Sequence, residues 1–552
     1  MRLSSQSARS HRNSHPLLRA FTASACGFLV LSSVGVAAAQ SPLSAASLGR
    51  RIADTALRQH SKNPPAVLLN GLDAEWYNTA GKRYDRYIQS VANAEVSAGN
   101  PSPEFASQIL LLHRITRNPA AYRIASRLDR QLLAQKHLTA RAAYAADPFL
   151  AEYASVFHRD QDFAAIAAQI RHTDRKPGLR NLGFRLMTLA SALPYFPREG
   201  AARAATTASF QRLAAFAALR QDHASGLWRD NLQTSKAGSS ALDPIGSAMV
   251  TFSLARGVRL GLLPRRYAAV AERAWKGILR RDPLRLAAAN ELAAGSLLLA
   301  ANEMQLYPDA EMGLGSRVLM DGWYNNEKRK NAAGETVLFH YKWDDYTDPG
   351  YSTLGHIYRS YGVSTDTLDT APTAANLSSA RIYMIVSPDT PAKVPDPHFI
   401  TAEQAAQVAA WVKRGGVLVL MSNDRGNTDI PNMDILADRF GLHFNNVLVH
   451  HVIGNDFPMG RIDDTQTGPP FFHPRLIYMK DTCSLKLSKG AHALLTWKGD
   501  ILMADARYGR GTVVAVTDPW LYNEYTDGHK LPSNYQNFEA GKEFVRWLLQ
   551  QK

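Results

Sequence analysis

The sequence predicts an N-terminal all-α (α/α)6-type barrel followed by a C-terminal α/β doubly wound domain. Two observations carry this. From residue 46 to about 305, apolar residues recur at helical spacing and no strand pattern interrupts them. After about 349, short apolar strands alternate with helices, the pattern of a parallel sheet buried on both faces. The chain has 552 residues, room for two or three domains.

The first block is read helix by helix. Phe105, Ile109 and Leu112 fall on one helical stripe. Ala146, Phe149, Leu150, Tyr153 and Phe157 form the next. Similar stretches lie near 81–94, 119–135, 160–171, 181–195, 203–220, 244–261, 266–281 and 286–305. About eleven helices are expected, joined by turns with Gly, Pro or Asn. No fixed-period repeat is visible, which favours a closed barrel over a solenoid.

The segment 307–348 is rich in Gly, Asn, Asp and aromatic residues and reads as a linker with a docking role. The domain 349–552 follows. Ala380–Ser387, Gly416–Met421 and Gly511–Val516 read as strands; Ala402–Lys413, Asp434–Phe440 and Ala540–Leu549 read as helices.

Residues 1–39 read as a secretory leader. Arg2, Arg9, Arg12 and Arg19 precede a short apolar run, and Ala37-Ala38-Ala39 supplies the cleavage pattern. Cleavage after Ala39 leads to the periplasm or outside the cell. No later apolar run is long enough to span a bilayer. The domain organisation expected is therefore a leader (1–39), a barrel (40–306), the linker (307–348) and the α/β domain (349–552).

Lys and Arg total 63 against 48 Asp and Glu, a net charge of +15. No helix-turn-helix, zinc finger or aromatic-basic signature points to nucleic acid. For a basic secreted protein, an acidic polysaccharide is the more natural anionic partner. With 2 cysteines, a disulfide scaffold and Cys-based metal sites are excluded. The leader removes Cys26 and leaves Cys483 alone. His450, His451, His473 and Asp456 are candidate metal ligands, but adjacent histidines on a strand diverge, so no metal and no cofactor is expected.

Four segments carry a resemblance: "LLNGLDAEWYNTAGKRYDRYI" (68–88), "GLWRDNL" (226–232), "GSAMVTFSLARGVRLGLL" (246–263) and "AAGSLLLAANEM" (293–304). They resemble glycoside hydrolase family 88/105, which contains the unsaturated rhamnogalacturonyl and unsaturated glucuronyl hydrolases. Residues 335–552 resemble the C-terminal extension of some members, with a class I glutamine amidotransferase-like fold. The resemblance implies a substrate with a C4=C5 unsaturated uronate at its non-reducing end, as in pectin-derived oligosaccharides. It implies an Asp that protonates the alkene and activates water, which is general acid–base work.

This chain departs from that pattern. The family's acid falls on Arg141, and an Arg holds its proton at neutral pH. The pocket loops between His172 and Ser191 are shortened. The acids left to substitute are Asp147 and Glu104, with Asp243 as a further alternative. Trp76, Asp73, Tyr144, Arg141, Trp228 and Asp243 are the expected substrate-binding residues; Asp243 also suits a helix N-cap. The alternative is a pseudo-glycosidase that binds oligosaccharide or a protein without turnover. Amidotransferase chemistry is excluded, because the strand 417–420 leads to Ser422-Asn423 with no Cys at the elbow. The aromatic-acidic runs 343–346 and 520–525 suit a seam between domains.

Overall fold

The computed structural model describes residues 44–551 apart from 60, 62, 174–175, 234–239 and 489. The expected leader, 1–39, lies outside the described residues.

Thirteen α-helices make up the first half of the described residues. They are α1 (Ala45–Gln59), α2 (Ala66–Thr79), α3 (Lys82–Ala98), α4 (Ala106–Thr116), α5 (Pro119–Leu133), α6 (Ala140–Val156) and α7 (Asp162–His172). After them come α8 (Leu179–Ala192), α9 (Ala201–Leu219), α10 (Pro244–Arg259), α11 (Arg266–Leu279), α12 (Pro283–Ala289) and α13 (Glu291–Ala310). Helix α13 packs on α2 and α10, α10 on α8, α8 on α6, and α6 on α4. These six form an inner ring, and α1, α3, α5, α7, α9 and α11 lie between them on the outside.

The division follows from composition. Helix α10 (PIGSAMVTFSLARGVR) buries residues on every face, as a helix hydrophobic all round must. Helix α11 buries only a stripe that includes Tyr267, Ala271, Ala274 and Ile278. Small residues set the ring's closeness. A Cβ on Gly295 of α13 would come within 2.6 Å of the backbone of Val67 and Leu68. Side-chain caps fix the helix starts: Asn118 accepts from the Ala120 and Ala121 N–H groups, Thr139 from Ala142 N–H, and Asn290 from Ala293 N–H.

The second half is built on a nine-stranded sheet. Its strands are β1 (Arg317–Asp321), β4 (Ser364–Leu368), β5 (Ile382–Val386), β6 (Val417–Met421), β7 (Leu442–Val449), β10 (Thr482–Leu487), β11 (Ala491–Trp497), β12 (Asp500–Tyr508) and β13 (Gly511–Val516). Two small hairpins sit apart, β2 (Lys328–Lys330) with β3 (Thr336–Leu338) and β8 (Arg461–Asp464) with β9 (Arg475–Tyr478). The helices are α14 (Ser352–Ser360), α15 (Ala402–Lys413), α16 (Ile430–Ala437), α17 (Asn523–Thr526) and α18 (Asn537–Gln550).

The sheet order is β4-β1-β5-β6-β13-β12-β10-β7, with β11 on β12. Strands β4, β1, β5, β6 and β13 run parallel; β12, β10, β7 and β11 pair antiparallel. Two expectations change here. The doubly wound sheet is only half parallel, because the half-exposed strands β7 and β10–β12 lack the continuous apolar run that marks a buried parallel strand. And the segment 307–348 is more than a linker, because β1 lies inside the sheet, pairing Val318 with both Thr365 and Ile382.

The halves meet along a polar and aromatic seam. Trp76 donates its indole N–H to the Asp527 carbonyl at 2.8 Å. Arg259 donates to the Arg359 carbonyl at 2.9 Å. Tyr77 of α2 stacks on His356 of α14, ring centroids 4.7 Å apart. Among the described residues no helix is long and apolar enough to cross a membrane.

Candidate functional site

Inner helices of such a ring are apolar throughout, so a charge on one of them is informative. Asn70, Asp73 and Tyr77 follow one another at i, i+3 and i+7 on α2, which places them on one face. Arg114 stands in the apolar run of α4, Glu152 in that of α6 and Arg256 in that of α10. Asp73, Tyr77, Arg114, Glu152 and Arg256 each keep part of their surface accessible. A polar chamber therefore lies at the end of the ring to which these helices run.

The charges in it are ordered. Arg114 donates to Glu152 Oε1 at 2.6 Å. Arg256 donates to Glu303 Oε1 at 3.0 Å and to the Ala190 carbonyl at 3.1 Å. Asp73 has a buried Oδ1 with no hydrogen-bond partner. Its burial pushes the carboxyl up to about 8, and the neighbouring Glu152 charge adds to the rise while Arg256 opposes it. Burial thus favours the protonated form of Asp73. Burial also holds the Tyr77 and Tyr195 hydroxyls well above their ordinary range.

The α/β half closes this end. Tyr346 lies under the Arg114 guanidinium, which is 3.6 Å from the ring centre. His356 is held well below its ordinary value, by burial first and then by Arg359, Arg259 and Arg256, so it is neutral. Further along the axis, Gln108 donates to Asn70 Oδ1 at 2.8 Å and Asn70 donates to the Tyr144 hydroxyl at 3.1 Å. These contacts join α4, α2 and α6 through polar groups. Burial pushes the Tyr144 hydroxyl up to about 12, with Arg256 and Glu104 both acting on it. Tyr144 thus stands between the chamber and the opposite end of the ring.

At that opposite end, Glu104 accepts from the Ala66 N–H at 2.7 Å and from Arg141 Nε at 3.3 Å. The Arg141 side chain is 55% exposed, so this end is open to solvent. Asp243 caps α10 by accepting from the Ile245 and Gly246 N–H groups, and it pairs with Arg180 at 2.8 Å.

The sequence-derived residues thus fall in several places. Asp73 and Tyr144 lie along the axis. Arg141 and Glu104 are paired at the open end. Trp76 is buried at the seam. Trp228 is fully buried, its indole N–H held by the Ala217 carbonyl at 2.7 Å, which makes it core rather than a site wall. Asp147 is buried with both oxygens unpartnered; burial pushes its carboxyl up, and the Gln169 amide on α7 is the group that opposes the rise. Among the described residues no hydrogen bond joins Asp147 to Glu104. Arg114, Glu152, Arg256 and Tyr195 were not singled out from sequence. The available signal was a charge inside an apolar helix.

In the α/β half, Cys483 is buried on β10 and its thiol is pushed up to about 12 by burial, so it is no nucleophile. His450, His451 and His473 face three different carboxylates, Asp500, Asp481 and Glu543. Asp434, Asp438 and His443 come within ligand reach of one another. Asp434 there accepts the Phe444 N–H at 2.9 Å, tying α16 to β7.

Residues 119–292 match the family model Glycosyl Hydrolase Family 88. A glycoside hydrolase family 105 structure from C. acetobutylicum ATCC 824 is similar at 17% identity, over 47% of this chain and 99% of that one, TM-score 0.41. A glycosyl hydrolase family 88 structure from Bacteroides vulgatus is similar at 17% identity, over 48% and 99%, TM-score 0.42. Among curated proteins nothing matches the chain.

Proposed function

We propose that the protein is a carbohydrate-active hydrolase of the unsaturated uronyl type, acting on small uronate-bearing oligosaccharides. The observation that carries this reading is the family 88 match over 119–292, in a ring whose chamber holds Asp73, its carboxyl pushed up, beside Glu152. A raised acid next to a second carboxylate is the arrangement general acid–base work requires. In this reading Asp73 gives its proton to C4 of the unsaturated uronate and water adds to C5. The hemiketal then opens, releasing the sugar, and Asp73 regains a proton from the added water. Arg256 is the cation whose charge acts on Asp73, and it suits the uronate carboxylate. The rings of Tyr77 and Tyr195 suit the sugar faces. A leader cleaved after Ala39 would put this activity in the periplasm or outside the cell.

A second reading, a sugar-binding pseudo-glycosidase, is favoured by one contact. Arg141, where the resemblance expects the acid, is an arginine, and Glu104 is tied to it and to the Ala66 N–H.

The test is turnover of lyase-generated unsaturated oligouronides, followed as loss of alkene ultraviolet absorbance. Asp73→Asn, Glu104→Gln and Asp147→Asn are compared with the wild type. Loss of about 10²–10⁴-fold in Asp73→Asn alone supports the hydrolase. Saturable binding without turnover in the wild type supports the binding module.

A further inference from the structure

We propose that the α/β half holds a second ligand site, for a neutral sugar unit, in the crevice between the carboxyl ends of β1 and β5. The parallel strands lie in the order β4-β1-β5-β6-β13. The chain moves from β1 outward to β4, then returns to the other side of β1 with β5. The loops that leave β1 and β5 therefore part, and such a switch point is where open α/β sheets take ligands.

The residues at this point are polar, and apart from the buried Asp389 they are part-accessible. Asp389, after β5, accepts the Asn326 N–H at 2.6 Å. Glu327, after β1, lies 2.9 Å from His340 Nδ1 and 3.7 Å from Lys393 Nζ. The His340, Glu327 and Lys393 side chains keep 21%, 15% and 19% of their exposure, so solvent reaches them. Asn326 Oδ1 and Thr390 Oγ1 are buried with no hydrogen-bond partner, and such atoms in a native fold call for a partner.

The backbone around the crevice is strained as well. His340, Tyr341 and Ser387 have φ of 63°, 55° and 45°, a region that costs non-glycine residues energy and gathers at functional sites.

The chemistry selects the ligand. Glu327 and Asp389 stand against one lysine, Lys393, so the crevice carries no surplus cation for an anionic ligand. Acceptors (Asn326, Glu327) and donors (Lys393, His340, Thr390) are both present, which suits hydroxyl groups that both donate and accept. An anion would meet Glu327 and Asp389. This separates the crevice from the arginine-bearing chamber of the ring, with which it shares no residue.

The experiment titrates the full chain with D-galactose, L-rhamnose and D-galacturonate by calorimetry. The expected result is saturable binding of a neutral sugar, weakened about tenfold or more in both Lys393→Met and Thr390→Val and unchanged in Asp73→Asn. Circular dichroism confirms that each variant is folded. No saturable binding of either neutral sugar overturns the proposal. So does binding that survives both crevice variants and is lost in Asp73→Asn. Tighter binding of galacturonate than of the neutral sugars at the crevice overturns the ligand assignment.

Discussion

Arg114 joins the two halves of the molecule through Tyr346. Its guanidinium lies 3.6 Å from the Tyr346 ring centre while its Nη1 is bonded to Glu152 at 2.6 Å. The same side chain donates to the Asp344 carbonyl at 3.2 Å. One cation therefore orders a carboxylate of the ring and an aromatic of the α/β half, a cation–π contact reinforced by an ion pair.

Removing that ring should loosen the chamber more than the fold. Tyr346→Ala is expected to reduce turnover or sugar binding by about thirtyfold, the loss of one desolvated cation–π contact of roughly 2 kcal/mol. Tyr346→Phe keeps the ring and should retain most of it. Binding curves for both variants give the comparison. Equal losses would point to the hydroxyl instead.

Asp73 should make stability fall as pH rises. Its carboxyl sits at about 8 in the folded chain against an ordinary 3.8. Between those values the unfolded chain has released the proton and the native state retains it. Stability contributed by the protonated form is present in full below about 4 and is lost as pH climbs to about 8. Denaturant midpoints at pH 5 and pH 8.5 should differ less in Asp73→Asn than in the wild type. Asp518, also pushed up to about 8 by burial, leaves a residual slope in that variant.

Glu303 is the counter-ion that two arginines share. It accepts from Arg259 at 2.7 Å and from Arg256 at 3.0 Å, and it is almost wholly buried. Glu303→Gln leaves the buried Arg259 without its charge partner. A loss of about 3–5 kcal/mol is expected from urea unfolding. A change below about 1 kcal/mol would mean that the Arg359 carbonyl and water suffice for Arg259.

Trp228 separates a core role from a site role. Trp228→Ala should cost about 3–5 kcal/mol, as other large aromatic truncations in cores do. Sugar affinity, measured where the variant is still folded, should be unchanged. Weaker sugar binding with little loss of stability would return this residue to the site.

Much of the fold could be read from residue pattern. The α15 helix over Ala402–Lys413 and the β13 strand over Gly511–Val516 lie where apolar periodicity puts them. The antiparallel strands β7 and β10–β12 were missed because their burial is broken by exposed positions, as at His492, Ala493 and Thr496 of β11. Local pattern cannot separate such a strand from a loop.

The site was less legible. Asp73 and Tyr144 could be singled out, yet nothing local says that Asp73 meets Glu152, 79 positions away, or that Tyr346 lies against Arg114. The helical half, the buried strands and the lack of a cysteine at the strand elbow follow from periodicity and residue type alone. That Trp228 is core, that Glu104 is tied to Arg141 and that the Asp73 carboxyl is pushed up emerge from the folded arrangement. Burial and the field of distant charges set those properties, and both exist only once the ring has closed.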